Sequence, residues 1–175
     1  PKILDDAVVG ETARAAFADA QTMLKQIIAA QDSDPWITAS AVFGLYPARA
    51  ENEDIIIYSD ESRTTELTRW VGLRQQLVKT TKDGQATPDW CLADFIAPKD
   101  SGVQDYIGAF AVTGGLGIDP HVARFEAAND DYSAILLKAL ADRFAEAFAE
   151  LMHTRVRTEF WGYAHGETLD NDALI

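Results

Sequence analysis

A chain of 175 residues with 47% apolar and 25% charged side chains has the composition of an ordinary globular protein, not of a disordered one. Its formal net charge of −13 argues against a nucleic-acid surface, which needs Lys and Arg to displace counterions from phosphates, and against an anionic membrane. One cysteine allows no intramolecular disulfide, which fits a reducing, cytoplasmic setting. No apolar run approaches the ~20 residues that span a bilayer, and no secretory leader pattern opens the chain.

The first predicted element is a helix from Asp6 to Gln31. Val9, Ala13, Phe17, Ala20, Leu24 and Ile27 recur at three- and four-residue steps, with Asp6 as N-cap. Asp32-Ser33-Asp34-Pro35 ends it, because the residue before proline avoids the α region. Thr38 to Tyr46 and the β-branched run Asp54 to Tyr58 read as two strands joined by a polar connection, Pro47 to Glu53. Thr64 to Val78 mixes helix and strand preferences, and its first half is read as strand. Lys79 to Pro88 is a loop by composition. Tyr106 to Thr113 is a strand stopped by Gly114 and Gly115. Asp119-Pro120 and Asn129-Asp130-Asp131 start two helices, and the second runs to about Thr158 with a stripe of Tyr132, Leu136, Leu140, Phe144, Phe148 and Leu151. Gly166 to Ile175 carries turn chemistry. With no internal boundary signal, one domain is the reading.

Chemistry-bearing patterns are sparse. His121, His153 and His165 lack the spacing of a zinc site, so no metal is expected. Cys91 between Trp90 and Leu92 reads as a buried small side chain, since Asp89 and Asp94 disfavour a thiolate. Gly114-Gly115-Leu116-Gly117 after a strand invites a phosphate-loop reading but has neither the Walker lysine nor GxGxxG spacing, which leaves a tight turn. Trp70, Trp90, Trp161, Tyr106 and Tyr163 suit core packing or a cation-binding groove. Asp142, Glu146 and Glu150 fall at i, i+4 and i+8 on the last helix, one turn beyond Lys138, which offsets some of the repulsion. A solvated face is the default for such a stripe; the alternative is a surface kept acidic for a cation or partner.

Read together, several segments resemble the activation domain of cobalamin-dependent methionine synthase. They include Gly44 to Ala48, Tyr58 to Glu61, Leu73 to Gln76, Cys91 to Pro98, Asp105 to Gly115, Asp130 to Tyr132, Lys138 to Arg143, Ala145 to Glu150 and Trp161 to Ala164, in family order along nearly the whole chain. The resemblance implies an α+β fold, a twisted antiparallel sheet with long amphipathic helices. It implies a role in cofactor repair within a methyltransferase. An electron from flavodoxin or a flavoprotein reductase and a methyl group from S-adenosylmethionine convert inactive cob(II)alamin to methylcobalamin, the cobalamin being held by a neighbouring module. Asp142 and Glu146 match acidic family positions and are candidate binding residues, facing the ligand groove or the docked cobalamin module.

Two family segments have no match here. An upstream Asp-Trp-x-x-Phe-Phe segment would precede Pro1, and the Arg-x-Pro-Ala-Pro-Gly-Tyr-Pro segment, the principal ligand motif, would follow Ile175. A chain that opens at Pro1 therefore reads as a partial domain, with weak or no S-adenosylmethionine binding of its own and a sheet edge open to self-association. Competing readings are a stand-alone, non-catalytic module that docks a corrinoid or flavoprotein partner, and a helical oligomerisation domain.

Overall fold

The computed structural model describes residues 2–77, 79, 80, 84–169 and 173. The fold is α+β, with a four-stranded antiparallel sheet and three helices. The strands are β1 (Thr38–Glu51), β2 (Asp54–Tyr58), β3 (Glu66–Trp70) and β4 (Asp105–Leu116), in the spatial order β3-β2-β1-β4. The helices are α1 (Gly10–Ala29), α2 (Asp119–Ala127) and α3 (Asp131–Arg155). The chain divides into two compact units, Pro1–Val42 with Ala111–Ile175, and Phe43–Phe110. No helix among the described residues is long and apolar enough to cross a membrane.

In the first unit, α1 begins four residues later than its sequence suggested. Asp6 does act as a cap, but for a turn: its Oδ1 accepts from the Val8 and Val9 N–H groups at 2.8 and 3.0 Å. Helix α3 starts where the sequence places it, with Asp130 Oδ1 accepting from the Ser133 N–H at 3.0 Å, an N-cap bond that satisfies one orphan donor. Its buried face is not centred on the expected stripe. Ala134, Leu137, Ala141 and Met152 are buried, whereas Tyr132 and Leu151 are 54% and 51% exposed. Leu136, Leu140 and Phe144 pack at the margin of the core. Ala141 sits beside the fully buried Leu137, where the backbone at Gly115 comes too close for a larger side chain. Met23 and Ile27 of α1, Trp36, Ile37 and Val122 of α2 complete that core, while Phe17, placed on the α1 stripe, is 52% exposed.

In the second unit, β1 and β2 form a hairpin tighter than predicted. Glu51 pairs with Asp54, so Asn52 and Glu53 alone make the turn, with Asn52 at φ 58°. The expected loop Pro47 to Glu53 is largely strand. Pro47 is tolerated because the ladder with β2 begins only at Ala48, one residue beyond the missing N–H. The strand expected in the first half of 64–78 is β3, antiparallel to β2 with a register shift between Ile57 and Tyr58. Val78, Thr81, Lys82 and Asp83 of the segments read between Thr64 and Pro88, and residues 170–172, 174 and 175 of the terminal turn region, lie outside the described residues.

Candidate functional site

Strand β4 runs through Leu116, three residues past its predicted stop, because Gly114 and Gly115 are not a turn but a point of close approach to α3. A Cβ at Gly114 would lie 2.8 Å from the Ala145 backbone nitrogen, and one at Gly115 would lie 2.8 Å from the Ala141 Cβ. Gly115 also has φ 102°, which side chains rarely adopt. The glycines thus serve helix–strand packing, as glycine inside a strand often does. Neither a phosphate loop nor a tight turn describes them.

That packing fixes the outward face of α3. Ala141 and Ala145 press toward β4, and their immediate successors Asp142 and Glu146 stand in solvent, with side chains 69% and 60% exposed. Arg143 lies between them. Its Nη2 donates to Asp142 Oδ2 at 2.6 Å, and its Nη1 reaches Glu146 Oε2 at 2.6 Å. The hydrogen bond to Asp142 and the charge of Glu146 hold the Arg143 guanidinium above its ordinary range. The two predicted site residues are therefore brought together by an arginine that the acidic-stripe reading passed over, although Arg143 and Glu146 are a standard i, i+3 pair. Lys138 contributes elsewhere: its Nζ pairs with Glu126 of α2 at 3.2 Å. Glu150 is exposed on the same helix.

The remaining sequence candidates have structural roles. His121 is buried and stacks on Trp36 with ring centroids 5.1 Å apart, while Arg124 lies over the same indole at 5.0 Å. His153 Nδ1 lies 3.5 Å from Arg157 Nη1, and His165 Nδ1 lies 3.0 Å from the Thr158 carbonyl oxygen. Cys91 is buried, its thiol donating to the Glu53 carbonyl at 3.4 Å. Beside it, Arg74 grips Asp94 through two bonds of 2.7 and 2.8 Å, and the Cys91 N–H donates to Asp94 Oδ2 at 2.9 Å. This pairing holds the Asp94 carboxyl down at about 2, and sequence reading missed it because the partners stand 20 residues apart. Tyr106 carries the Arg63 guanidinium over its ring at 5.1 Å and donates its hydroxyl to Glu61 at 2.8 Å, so the cation it meets is internal. Trp90 stacks on Phe95, and Trp161 meets Tyr163 edge to face.

Each unit has an apolar hollow. In the second unit a space of about 440 Å³ is lined by Tyr46, Ile55, Leu67, Trp70 and Ile107 among others. In the first, about 640 Å³ opens beside Ile28, Ile37, Phe144, Phe148 and Leu151. Neither is lined by a charged side chain. Among the described residues no group of three or more His, Cys, Asp or Glu is placed to hold a metal ion.

Comparison with known proteins settles the relationship. The family described as vitamin B12 dependent methionine synthase, activation domain, matches residues 1–175. The chain belongs to this family. Among solved structures it is similar to the MetH reactivation domain bound to AdoHcy, at 50% sequence identity and a TM-score of 0.79 over 99% of this chain. That match takes in 51% of the other chain, so the present chain spans about half the length of the structure it resembles. The family is a domain of methionine synthase, a methyltransferase. The segments that carried the resemblance are thus accounted for: Asp105 to Gly115 is β4 with its close approach to α3, and Lys138 to Glu150 is the α3 face that bears Asp142, Arg143 and Glu146.

Proposed function

We propose that this chain is a part, working as one partial domain, of a cytoplasmic methionine synthase, and that the complete domain binds S-adenosylmethionine and supports reductive methylation of cob(II)alamin to methylcobalamin. The observation that carries the reading is 50% identity over 99% of the chain to a reactivation domain bound to AdoHcy. AdoHcy is what S-adenosylmethionine becomes when its methyl group leaves. In this reading cobalamin is the substrate and is held by a neighbouring module of the enzyme. The electron comes from flavodoxin or a flavoprotein reductase.

The residues of this chain fit one of the two uses expected of Asp142 and Glu146 better than the other. A sulfonium and an ammonium group call for carboxylates, but the hollows carry none, and both α3 carboxylates already bind Arg143. A free cationic ligand would have to displace a tethered guanidinium. A docking surface has no such competitor to remove, because the exposed Asp142–Arg143–Glu146 cluster offers both signs of charge to a partner. We therefore place these residues at the docking face for the cobalamin module and expect S-adenosylmethionine to be held chiefly by protein outside this chain.

The test is made in the full-length enzyme. Asp142→Asn with Glu146→Gln should slow reductive reactivation while leaving primary methyl transfer from methyltetrahydrofolate unchanged; equal reactivation by parent and variant removes the docking role. Calorimetric titration of the 175-residue chain with S-adenosylmethionine should show weak or no binding. Tight binding would place the ligand's main contacts inside this chain.

A further inference from the structure

The end of α3 is built unlike its start. Val156–Phe160 form a π-turn, and the Trp161 N–H donates to the Val156 carbonyl oxygen, five residues back, at 2.8 Å. The chain then reverses at Gly162, where φ is 77°. The Ala164 N–H returns to the Arg157 carbonyl oxygen at 3.0 Å, which brings residues 161–167 alongside the turn they have just left.

One ion pair ties down this return. Arg157 is 7% exposed, and its Nε donates to Glu167 Oε2 at 3.0 Å while its Nη2 meets the other carboxylate oxygen. The Arg157 side chain is buried, at 8% exposure, and that of Glu167 is partly buried, at 14%. Burying such a pair gains little net stability over apolar residues of the same size, so stability alone is a poor reason to have one. Breaking it, by contrast, leaves a buried charge, which makes the pair an effective two-state contact. The π-turn beside it is also a rare form, found mostly as a local insertion at functional positions.

We propose that Arg157 and Glu167 form a latch that holds the end of α3 in its π-turn register, and that opening the latch lets residues 156–161 continue as ordinary α-helix. Val156 to Trp161 contains no Gly or Pro, so the α-helical alternative is open to it, and Gly162 ends the helix in either form. Relaxing one π insertion turns the following residues by about 100°, one residue's step on the helix, and so re-aims Trp161 and Tyr163. Any carboxylate or cation that captures one latch partner shifts the balance between the two registers.

The test uses the 175-residue chain in solution. Glu167→Gln should speed amide exchange at Ala164 at least tenfold, because an α-helical Trp161 N–H takes the Arg157 carbonyl oxygen from it, leave Leu137 in the first half of α3 unchanged, and move the ¹³Cα shifts of 156–161 toward α-helical values. The Trp161 indole resonance should shift while that of Trp36 stays. Combining Arg157→Glu with Glu167→Arg should restore slow exchange. The latch is overturned if the Ala164 amide keeps its parent rate, if all amides speed up together, or if residues 156–161 move to coil values. Should Glu167→Gln fail to fold, Glu167→Asp, which keeps the charge and shortens its reach, is read by the same signals against the same outcomes.

Discussion

Gly114 and Gly115 give the sharpest test of how β4 and α3 are fitted together. An alanine at 114 would place its methyl 2.8 Å from the Ala145 nitrogen, and 3.1 Å from both the Ala145 Cα and the Phe144 carbonyl carbon. Ordinary contacts between such atoms lie near 3.5–4.0 Å, so strand and helix would have to separate by roughly 0.7 Å. Overpacking of this kind costs about 1–3 kcal/mol, and the Tm of a protein this size falls by roughly 2–4 °C for each kcal/mol. Because the obstacle is helix backbone, Ala145→Gly in the same molecule removes nothing that matters, and the two costs should simply add. Gly115→Ala differs. Its methyl would meet the Ala141 methyl at 2.8 Å, and its φ of 102° adds strain of about 1–3 kcal/mol. Here Ala141→Gly, itself costing about 1 kcal/mol in a helix, clears the clash. The double variant should therefore be about 1–2 kcal/mol more stable than the sum of its parts. Denaturant titrations followed by tryptophan fluorescence measure the four single variants, the two double variants and the parent. A Gly114→Ala chain within about 0.5 kcal/mol of the parent, or equal coupling in both pairs, would refute the close-approach argument.

Two further outcomes follow from single contacts. Leu137 is fully buried at the centre of the first unit's core, so Leu137→Ala should cost about 2–5 kcal/mol, read from the same titrations; a loss under about 1 kcal/mol would mean the core is centred elsewhere. Asp94 is held below its ordinary value of 3.8, at about 2, chiefly by its hydrogen bonds to Arg74. A depressed carboxyl contributes stability that is present above the unfolded-state value and lost as pH falls through the folded one, so the loss belongs between about pH 4 and pH 2. Trp90 emission should report a shallower acid transition across that window in Asp94→Asn; superimposable curves would show that the Arg74 pair carries no pH dependence.

Much of the fold was legible because its signals are local. The Asp130 cap and the β-branched run of β2 act over a few residues and mean the same thing in most contexts. The misreadings share a different cause. Pro47 and Gly114-Gly115 read as breaks in the sequence, and each lies inside a strand. Whether a proline breaks a strand depends on whether its side of the ladder is in use at that residue, and whether a glycine marks a turn depends on what packs beside it. Neither fact is written nearby: β2 begins pairing at Ala48, and α3 reaches Gly114 from 31 residues away through Ala145. The stripe on α3 was displaced for the same reason. Leucine and phenylalanine announce a core by size, whereas Ala141 is buried beside Leu137 because the backbone at Gly115 comes too close for anything larger.

The site divides along the same line. Helical spacing gives Asp142, Glu146 and Glu150 as one acidic stripe, the family resemblance singles out Asp142 and Glu146, and Arg143 stands in an i, i+3 relation to Glu146 that is as local as that spacing. Including it changes the chemistry. Three carboxylates on a bare face would attract any cation, but a guanidinium bound to two of them leaves a cluster with directional hydrogen-bonding capacity and reduced charge. Such a surface discriminates by geometry more than by field, since a partner must meet donors and acceptors in register to replace the bonds it disturbs. Removing the arginine alone separates the two descriptions. If the acids act as a field, Arg143→Ala strengthens capture of a cationic partner; if the cluster acts as a template, the same change weakens docking along with Asp142→Asn and Glu146→Gln. Reactivation rates of the full enzyme across an ionic-strength series decide between them, because a field fades with salt and a template of short contacts persists.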